Sequence, residues 1–553
     1  MTAIMTPWQR FTGLLKLERS EIRQLFYYAI FTGLVTLSLP LGIQAIVNLI
    51  QGAQISTSWI VLVVLVTLGV GFQGTLQLMQ VRILENIQQR IFTRASFEFA
   101  YRFPKVKMEE LRDYYPPELA NRFFDILTVQ KGLSKILIDF PAAILQIVFG
   151  LILLSFYHPF FILYGLLLLV VLAVVFRYTA RKGLETSLEE SKSKYRVAHW
   201  IQEIARSLIS LKLSGKTNFA MSKNDTLTMS YLEHRESHFK VLVLQFIQMI
   251  GFKILVTAGL LIIGGLLVLN QEMNIGQFVA AELIILLVIG SVEKLITGLE
   301  SFYDILTSLE KIGQVVDKEL EAQEGENPFT DTEKLTIDLE EINYNSTEGK
   351  VILNDISMKI VQGEHSYIHG ISESGKTTLF HLLSGLIQPH KGAFYINNIS
   401  IKSILPNSYR SYVSQVLPEQ TPFEGTIIEN ITLGDPSISR NRVNQTLESL
   451  GLLDFVKMQP KGLQTIIYPE GQQIPYSISR RIVLARAIIN EPKLLILESP
   501  FDYFEASGAN RLISYLTAPE NPWTLVVGGT NSAWKQHCKH HFELNRGVLT
   551  ALN

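Results

Sequence analysis

Six long apolar runs in the first 300 residues constrain this chain more than any other feature. A helix needs about 20 apolar residues to span the hydrocarbon core of a bilayer, and most of the runs reach that length. One such run could be a core helix of a soluble protein, but six together predict an all-α transmembrane domain over residues 1–310. The runs cover roughly 25–50, 58–80, 136–157, 159–177, 242–269 and 275–298.

The segments between the runs predict the orientation of the helices. The loops QGAQISTS (51–58), YHP (157–159) and NQEMN (270–274) carry no Lys or Arg, whereas segments 81–135 and 178–241 are rich in both. By the positive-inside rule, the long loops, both termini and the C-terminal half are expected to be cytoplasmic. The first residues lack the apolar core and cleavage site of a secretory signal. The sequence thus predicts a multi-pass protein of the cell inner (plasma) membrane.

Composition and the C-terminal pattern predict a second, different domain. The chain has 553 residues, 48% hydrophobic and 18% charged, which is too long for one domain and too apolar for an ordinary soluble protein. A net charge of −1 gives no electrostatic reason to expect nucleic acid as a partner. The single cysteine, Cys538, excludes an internal disulfide. Residues 311–335 are polar and turn-rich, as in a linker, and short β runs alternate with helical ones over 336–553, which predicts an α/β domain.

A phosphate-binding loop lies near the start of this second domain. The segment HSYIHGISESGKTTLFHLLSG (365–385) has the pattern strand, glycine-bearing loop, helix, and its loop matches G-x-x-x-x-G-K-[ST]. Backbone N–H groups and the helix N-terminus favour a polyphosphate, while Lys376 would reach its β- and γ-phosphates and Thr377 would ligate Mg²⁺. We therefore expect ATP and Mg²⁺ as cofactors. The predicted binding residues of the loop are Gly370, Ser372, Glu373, Ser374, Gly375, Lys376, Thr377 and Thr378.

Four further motifs follow this loop, and their order resembles the nucleotide-binding domain of ABC transporters. They are YRSYVSQ (409–415), FEGTIIENITLGDP (423–436), RRIVLARAII (480–489) and KLLILESP (493–500). Six helices followed by such a domain resemble a half-transporter of the ABC exporters, most closely the peptide, toxin and lipid export branch. The resemblance implies a P-loop ABC ATPase domain that works as a dimer with a second half-transporter, either identical or different. Membrane lipid and a periplasmic adaptor protein are further candidate partners.

The resemblance also implies roles for single residues. Tyr344 stands where an aromatic ring stacks on adenine, although an ordinary strand tyrosine is an equal alternative. Gln415 matches the Q-loop glutamine that senses Mg²⁺, with Gln420 as a rival because the stretch after Gln415 is longer than usual. Glu498 replaces the usual Walker B aspartate and keeps the carboxylate that orients Mg²⁺, on a longer arm.

Several positions depart from the family pattern. With Pro500 fixing the register, Ser499 occupies the place of the catalytic glutamate, and Thr530 falls at the switch histidine. The signature LSGGQ becomes IPYSI (474–478), and Glu505 stands at the D-loop aspartate. A neutral hydroxyl is a poor general base, and a positioned base contributes about 10²–10⁴-fold to rate. The site is therefore expected to be degenerate: it should bind ATP, with weak or no hydrolysis.

Two other interpretations remain open at this stage. The chain could be a non-transporting scaffold or regulator with the ABC fold, in which ATP binding is structural. It could also be an ordinary ATPase that uses an unorthodox base, either Glu505 or Glu498. Nothing in the sequence identifies the transported substrate.

Two expectations concern the helical domain itself. Short helices that transmit the nucleotide state are expected near 114–124 and 213–221, by position. Lys253 and Glu293 lie roughly 24 and 27 Å below the outer ends of their helices at 1.5 Å per residue, so they are expected to share a depth, whereas Glu282 lies about 10 Å down.

Overall fold

The computed structural model describes residues 5–51, 57–329, 334–346, 348–502 and 504–552, and the chain divides into two compact units. The helical unit comprises Met1–Pro104 and Asp113–Lys318, and the α/β unit comprises Lys105–Arg112 and Glu319–Asn553. The last helix of the helical unit runs to Val316, inside the stretch predicted as a linker. Residues 330–333 of that stretch lie outside the described residues.

Long helices dominate the helical unit, and the six predicted apolar runs fall on them. A π-helical segment, Lys135–Asp139, leads into one of these helices and contains the start of the third run. The helices are α1 (Pro7–Leu17), α2 (Arg19–Gln51), α3 (Thr57–Arg102), α5 (Pro116–Ala120), α6 (Asp125–Ser134), α7 (Phe140–Tyr157), α8 (Phe160–Arg206), α9 (Leu208–Leu213), α10 (Phe219–Leu269) and α11 (Ile275–Val316), while α4 (Met108–Leu111) belongs to the α/β unit.

Five helical segments are long and apolar enough to cross a membrane, among the residues that the structure describes. They are Arg19–Ile50, Thr57–Lys105, Pro116–Tyr157, Phe219–Leu269 and Ile275–Val316. The fourth predicted run, 159–177, is not among them, and several of its side chains lie outside the described part. Helix α8, which contains this run, nevertheless extends over 47 residues and packs along α10.

The two charges expected at one depth meet in an ion pair. Lys253 Nζ on α10 lies 2.6 Å from Glu293 Oε2 on α11. The prediction of a shared depth is confirmed by this contact. Glu282, higher on α11, is exposed in this chain.

The α/β unit is built around a six-stranded sheet of order β12-β11-β3-β10-β9-β6. Strands β11, β3, β10, β9 and β6 run parallel, and β12 is antiparallel at the edge. Its strands are β3 (Ser366–His369), β6 (Val413–Val416), β9 (Leu494–Glu498), β10 (Thr524–Gly529), β11 (His540–Asn545) and β12 (Val548–Leu552). All five residues of β9 are buried, as expected for a central parallel strand covered on both faces.

Smaller sheets and the connecting helices complete this unit. An antiparallel sheet has the order β2-β1-β4-β5, and β7 pairs with β8. These strands are β1 (Thr336–Asn345), β2 (Val351–Val361), β4 (Lys391–Ile396), β5 (Ile399–Ser400), β7 (Gly425–Thr426) and β8 (Ile466–Ile467). The helices are α12 (Lys376–Leu383), α13 (Pro406–Arg410), α14 (Ile427–Thr432), α15 (Arg440–Ser449), α16 (Leu453–Met458), α17 (Tyr476–Ile488) and α18 (Ala506–Leu516).

One short segment from the first part of the chain packs with the α/β unit. This segment, Lys105–Arg112, follows the end of α3, where Pro104 interrupts the helix. Lys107 forms an ion pair with Glu319, which helps to hold it there. Short helices were expected near 114–124, and α5 and a 3₁₀ helix, Asn121–Phe124, lie there within the helical unit. Their role in transmitting the nucleotide state remains a prediction.

Candidate functional site

A cavity of about 520 Å³ opens at the carboxyl ends of β3, β9 and β10. It brings together every loop residue predicted to bind nucleotide, and it adds Glu498, Ser499 and Thr530. Tyr344 and Gln415 do not line it. The lining residues are Ile352, Gly370, Ser372, Glu373, Ser374, Gly375, Lys376, Thr377, Thr378, Pro418, Tyr476, Glu498, Ser499, Asp502, Gly529 and Thr530.

The loop between β3 and α12 is shaped by Gly375. This glycine has φ +103°, and a Cβ placed on it would lie 3.0 Å from the carbonyl oxygen of Ile352. Only glycine satisfies both conditions without strain. The turn directs the first N–H groups of α12, which begins at Lys376, toward the cavity. A helix N-terminus with free N–H groups favours an anion such as a phosphate.

Lys376 places a buried positive charge within this loop. Its Nζ donates to the carbonyl oxygens of Gly370 (2.8 Å) and Ile371 (2.7 Å). Burial lowers the pKa of the ammonium, and the nearby carboxylates of Glu498 and Asp502 oppose that shift. The loop carbonyls therefore hold the ammonium beside the N–H groups, where it can meet a phosphate oxygen.

Thr377 and Glu498 form the candidate metal-binding pair. The Thr377 hydroxyl donates to Glu498 Oε2 over 2.8 Å, so the ends of α12 and β9 meet at this contact. Burial raises the pKa of the Glu498 carboxyl, and the hydrogen bond from Thr377 and the charge of Lys376 pull it back down. A hydroxyl and one carboxylate, completed by phosphate oxygens and water, are a common set of Mg²⁺ ligands. The residues of the cavity therefore fit Mg-ATP.

Glu373 is an unusual member of the phosphate loop. Its backbone has φ +64°, a conformation that costs a residue other than glycine on the order of 1–3 kcal/mol. Glu373 is exposed and is one of the residues that line the cavity, so it adds a negative charge beside the space proposed for phosphates. The sequence motif includes Glu373 only by spacing and does not reveal this conflict.

Removing this carboxylate is expected to tighten nucleotide binding. Glu373→Gly removes both the charge and the strain, and Glu373→Gln removes only the charge. Both variants should raise the affinity of the full chain for ATP about five- to tenfold. The reason is that like charges a few ångströms apart repel by roughly 1 kcal/mol even in water. Titration with a fluorescent ATP analogue measures this. Glu341→Gly is the matched control, because Glu341 has φ +50° outside the cavity. Unchanged affinity in both Glu373 variants would show that this carboxylate does not face the nucleotide.

Ser499 and Thr530 stand on the cavity wall at the ends of neighbouring parallel strands. Ser499 has φ +44°, and its N–H donates to the Gly528 carbonyl oxygen over 2.8 Å. A Cβ placed on Gly529 would lie 3.3 Å from Ser499 Oγ. Hydroxyl groups therefore occupy the wall where the family resemblance implies a glutamate and a histidine. Neither hydroxyl is a competent base at neutral pH.

Five further wall residues were not among the predicted site residues, namely Ile352, Pro418, Tyr476, Asp502 and Gly529, and two of them carry polar groups. Tyr476 is the first residue of α17, directly after Pro475, and its half-exposed side chain reaches the cavity. Asp502 adds a carboxylate three positions after Ser499. Its only sequence signal is the acidic residue in SPFD. Glu505, one of the alternative bases, does not line the cavity, so the carboxylates on the wall besides Glu373 are Glu498 and Asp502.

Tyr344 lies apart from the cavity with its ring covered. It is fully buried, and the ring of His390 lies 4.8 Å away, centroid to centroid. The guanidinium of Arg112 lies 4.9 Å from the Tyr344 ring centre. Adenine stacking by Tyr344 remains a prediction, and it would require this ring to be uncovered.

The two candidate Q-loop glutamines also lie outside the cavity lining. Gln415 is on β6, and its buried Oε1 has no hydrogen-bond partner among the described residues. Gln420 accepts a long hydrogen bond from the N–H of Leu417 (3.4 Å). Arg480 holds this loop, because its Nη1 donates to the carbonyl oxygens of Leu417 (2.9 Å) and Gln420 (3.1 Å). The assignment of Gln415 as the Q-loop residue, with Gln420 as its rival, remains a prediction.

Family models match both units of the fold just described. The ABC transporter transmembrane region matches residues 25–292, and the ABC transporter domain matches residues 353–502. The chain thus belongs to the ABC transporters and has the domain arrangement of an exporter half-transporter, with a helical transmembrane domain followed by an ABC ATPase domain. Membership of the ABC ATPase domain family implies ATP binding with Mg²⁺.

One solved structure and two curated relatives are similar to this chain. A bacterial Atm1-family ABC exporter with ATP bound has the same fold, with a TM-score of 0.84 and 14% sequence identity over 96% of this chain and 94% of that chain. The alpha-hemolysin translocation ATP-binding protein HlyB of Escherichia coli O157:H7 is 30% identical over 51% of this chain and 40% of its own length. The leukotoxin translocation ATP-binding protein LktB of Mannheimia haemolytica is 28% identical over 54% of this chain and 43% of its own length. The matched parts span less than half the length of these two relatives.

Proposed function

We propose that this chain is one half of a dimeric ABC exporter that binds Mg-ATP and hydrolyses it slowly at its own site. Its cargo would be a peptide, a lipid or another amphipathic substrate moved out of the cytoplasm. The observation that carries the proposal is the contact of Thr377 with Glu498 beside the buried Lys376, in a chain whose other unit has several membrane-length helices. The names of the relatives HlyB and LktB, both translocation ATP-binding proteins, support export.

Each group of the cavity has a separate task in this proposal. The N–H groups after Gly375 and the ammonium of Lys376 bind phosphate oxygens, and Thr377 with Glu498 holds the metal ion. Bound Mg-ATP supplies the phosphoryl group and the cation that neutralises its charge. Ser499 stands at the position of the usual catalytic glutamate, and Thr530 stands at the position of the switch histidine. Because neither hydroxyl is a strong base, the proton of the attacking water is removed slowly.

The identity of the second half-transporter determines how many of the replaced catalytic residues each nucleotide site of the dimer contains. In the ABC arrangement, two domains enclose each nucleotide between the phosphate loop of one and the signature of the other. In a homodimer, both sites would have Ser499 and the altered signature 474–478. With a conventional partner, one site would lack the base and the other would face this altered signature. Slow turnover is therefore proposed for either dimer.

The membrane placement belongs to the same proposal. The chain would lie in the inner (plasma) membrane in contact with lipid, with the α/β unit and both termini in the cytoplasm. The distribution of Lys and Arg between the loops supports this orientation. A periplasmic adaptor is the further partner proposed from the similarity to HlyB and LktB.

Native purification of the tagged full chain tests the pairing. We expect a second half-transporter, or a second copy of this chain, to co-purify in a 1:1 ratio, as identified by mass spectrometry and by the mass of the complex. A co-purifying periplasmic protein would indicate a secretion machine. A monomer that binds ATP without any partner would contradict the proposal.

A scaffold or regulator is the second candidate, and the hydroxyl-lined wall at Ser499 and Thr530 favours it. The two functions differ in their dependence on Lys376. In an exporter, Lys376→Ala should leave the complex assembled but stop the movement of the co-purifying cargo. Unchanged cargo movement in that variant would favour the scaffold.

A further inference from the structure

A second and larger cavity, of about 870 Å³, lies within the helical unit. Its walls come from α8, α10, α11 and the segment from Tyr114 to Arg122, which contains α5. Lys311 lies 13 residues beyond the last apolar run and Arg196 lies 19 residues beyond the fourth, which corresponds to roughly 20 and 28 Å along a helix. The cavity therefore lies at the polar ends of the long helices, outside the expected hydrocarbon layer.

A buried arginine faces this cavity with unused donors. The Arg122 side chain is only 8% exposed, and its guanidinium lies 3.7 Å from the ring centre of Tyr195. Its Nη2 donates to Glu118 Oε1 over 3.0 Å. Its Nε and Nη1 are buried and have no acceptor among the described residues. Buried donors are nearly always paired in proteins, so these two N–H groups indicate a missing acceptor.

Lys311 is a second buried cation on the same wall. It is 5% exposed, and its ammonium lies 5.2 Å from the centre of the Tyr195 ring. Within the described parts of the chain it makes no hydrogen bond and no ion pair closer than 4 Å. The buried carboxylate of Asp125 attracts Lys311 from beyond ion-pair distance, and an anion at this wall would add a direct partner for the ammonium.

The carboxylates of the cavity wall do not supply that anion, because each already has a cationic partner. These pairs are Glu118 with Arg122, Glu189 with Lys192, and Glu203 with Arg206. Arg196, Lys223 and Lys311 have no carboxylate within 4 Å among the described residues. The Arg196 guanidinium donates only to serine hydroxyls, and Lys223 lies over an indole ring. The cavity thus carries a surplus of positive charge.

Two aromatic side chains give the cavity flat apolar surfaces. Trp200 is nearly buried, and its indole N–H donates to the Ala220 carbonyl oxygen over 3.1 Å, which fixes the ring. Tyr195 is fixed in a similar way, because its hydroxyl donates to the Asp125 carboxylate. Arg122 lies over one face of the Tyr195 ring, and Lys223 lies over one face of the Trp200 ring. A ligand whose anionic group meets these cations, and whose flat body meets the remaining ring surface, suits such a wall.

We propose that this cavity binds a soluble organic anion, with a phosphate, sulfonate or carboxylate group held by Arg122, Lys311 and Arg196, and a flat body against Trp200 and Tyr195. A lipid headgroup offers the same chemistry, but the distance from the apolar runs favours a soluble ligand. The site is confined to the helical unit. It therefore does not depend on the proposed ATP hydrolysis.

Binding of pyranine (8-hydroxypyrene-1,3,6-trisulfonate) to the full chain tests the proposal. The complex is reconstituted in phosphatidylcholine nanodiscs without nucleotide, and the fluorescence anisotropy of pyranine is titrated. We expect saturable binding that weakens as ionic strength rises. Lys311→Gln and Arg196→Gln should each weaken it about tenfold, since each removes one charged contact.

The experiment also needs a control variant and a comparison of two lipids, which distinguishes a soluble ligand from a lipid headgroup. Lys182→Gln removes an exposed lysine of α8 that does not line the cavity, and it should leave pyranine binding unchanged. Binding of an ATP analogue to the other unit verifies that each variant is folded. The absence of saturable binding, or equal affinity in all three variants, would overturn the proposal. Displacement of pyranine when phosphatidylglycerol replaces phosphatidylcholine would assign the site to a lipid headgroup and overturn the soluble ligand.

Discussion

Replacing Lys376 by alanine is expected to weaken ATP binding by the full chain at least about 100-fold. The ammonium is buried in the phosphate loop, where it is held by the Gly370 and Ile371 carbonyl oxygens. Its charge-assisted contacts with phosphate oxygens are formed in a partly dehydrated site, and each such contact contributes roughly 1.5–3 kcal/mol. Two lost contacts therefore correspond to two or more powers of ten in affinity.

The measurement is a titration of the purified chain with a fluorescent ATP analogue in the presence of Mg²⁺. Lys350→Ala is the control, because Lys350 is an exposed lysine of the same unit that does not line the cavity. Thermal unfolding without nucleotide shows whether the Lys376 variant is folded. An affinity within threefold of the unaltered chain, in a folded Lys376→Ala variant, would exclude this cavity as the nucleotide site.

Replacing Ser499 by glutamate is expected to raise ATP hydrolysis about 10- to 100-fold. The position lies on the cavity wall at the end of β9, and a positioned general base contributes about 10²–10⁴-fold. We expect a gain at or below the lower end of that range, because Tyr476 and Thr530 remain altered on the same wall. The left-handed backbone at Ser499 tolerates a glutamate, since Glu373 and Glu491 adopt similar φ values in this chain.

Ser499→Gln is the matched control for this gain of activity. Glutamine has nearly the same size as glutamate but cannot accept the proton, so its rate should equal that of the unaltered chain. Phosphate release is measured for both variants at saturating ATP in the same membrane reconstitution. Equal rates for the Glu and Gln variants would mean that the position does not contact the attacking water.

The sequence predicted those parts of the fold that are determined by residues close together in the chain. The buried strand β9 is a continuous apolar run because a central parallel strand is covered on both faces. The phosphate loop is recognisable because its glycine, lysine and threonine act within one turn of chain. The shared depth of Lys253 and Glu293 followed from helix rise alone, since both residues lie on continuous helices, whereas their ion pair was found only in the structure.

The features that the sequence did not predict depend on contacts between segments that are far apart in the chain. The Tyr344 ring is covered by Arg112, more than 200 positions earlier in the chain, and no local pattern around Tyr344 records that contact. Asp502 reaches the cavity because of the turn after β9, and the motif pattern assigns it no role. The cluster of Arg122 and Lys311 joins segments almost 190 positions apart.

The most direct test of the central claim measures ATP binding and ATP hydrolysis on one preparation of the native complex containing the tagged chain. We expect ATP bound at this chain's loop and lost in the Lys376→Ala variant, together with turnover about 10²–10⁴-fold below that of an exporter whose base, signature and switch are intact. Turnover at ordinary exporter rates by a complex of this chain alone would contradict it. In that case Asp502→Asn and Glu498→Gln would identify which carboxylate on the cavity wall serves as the base.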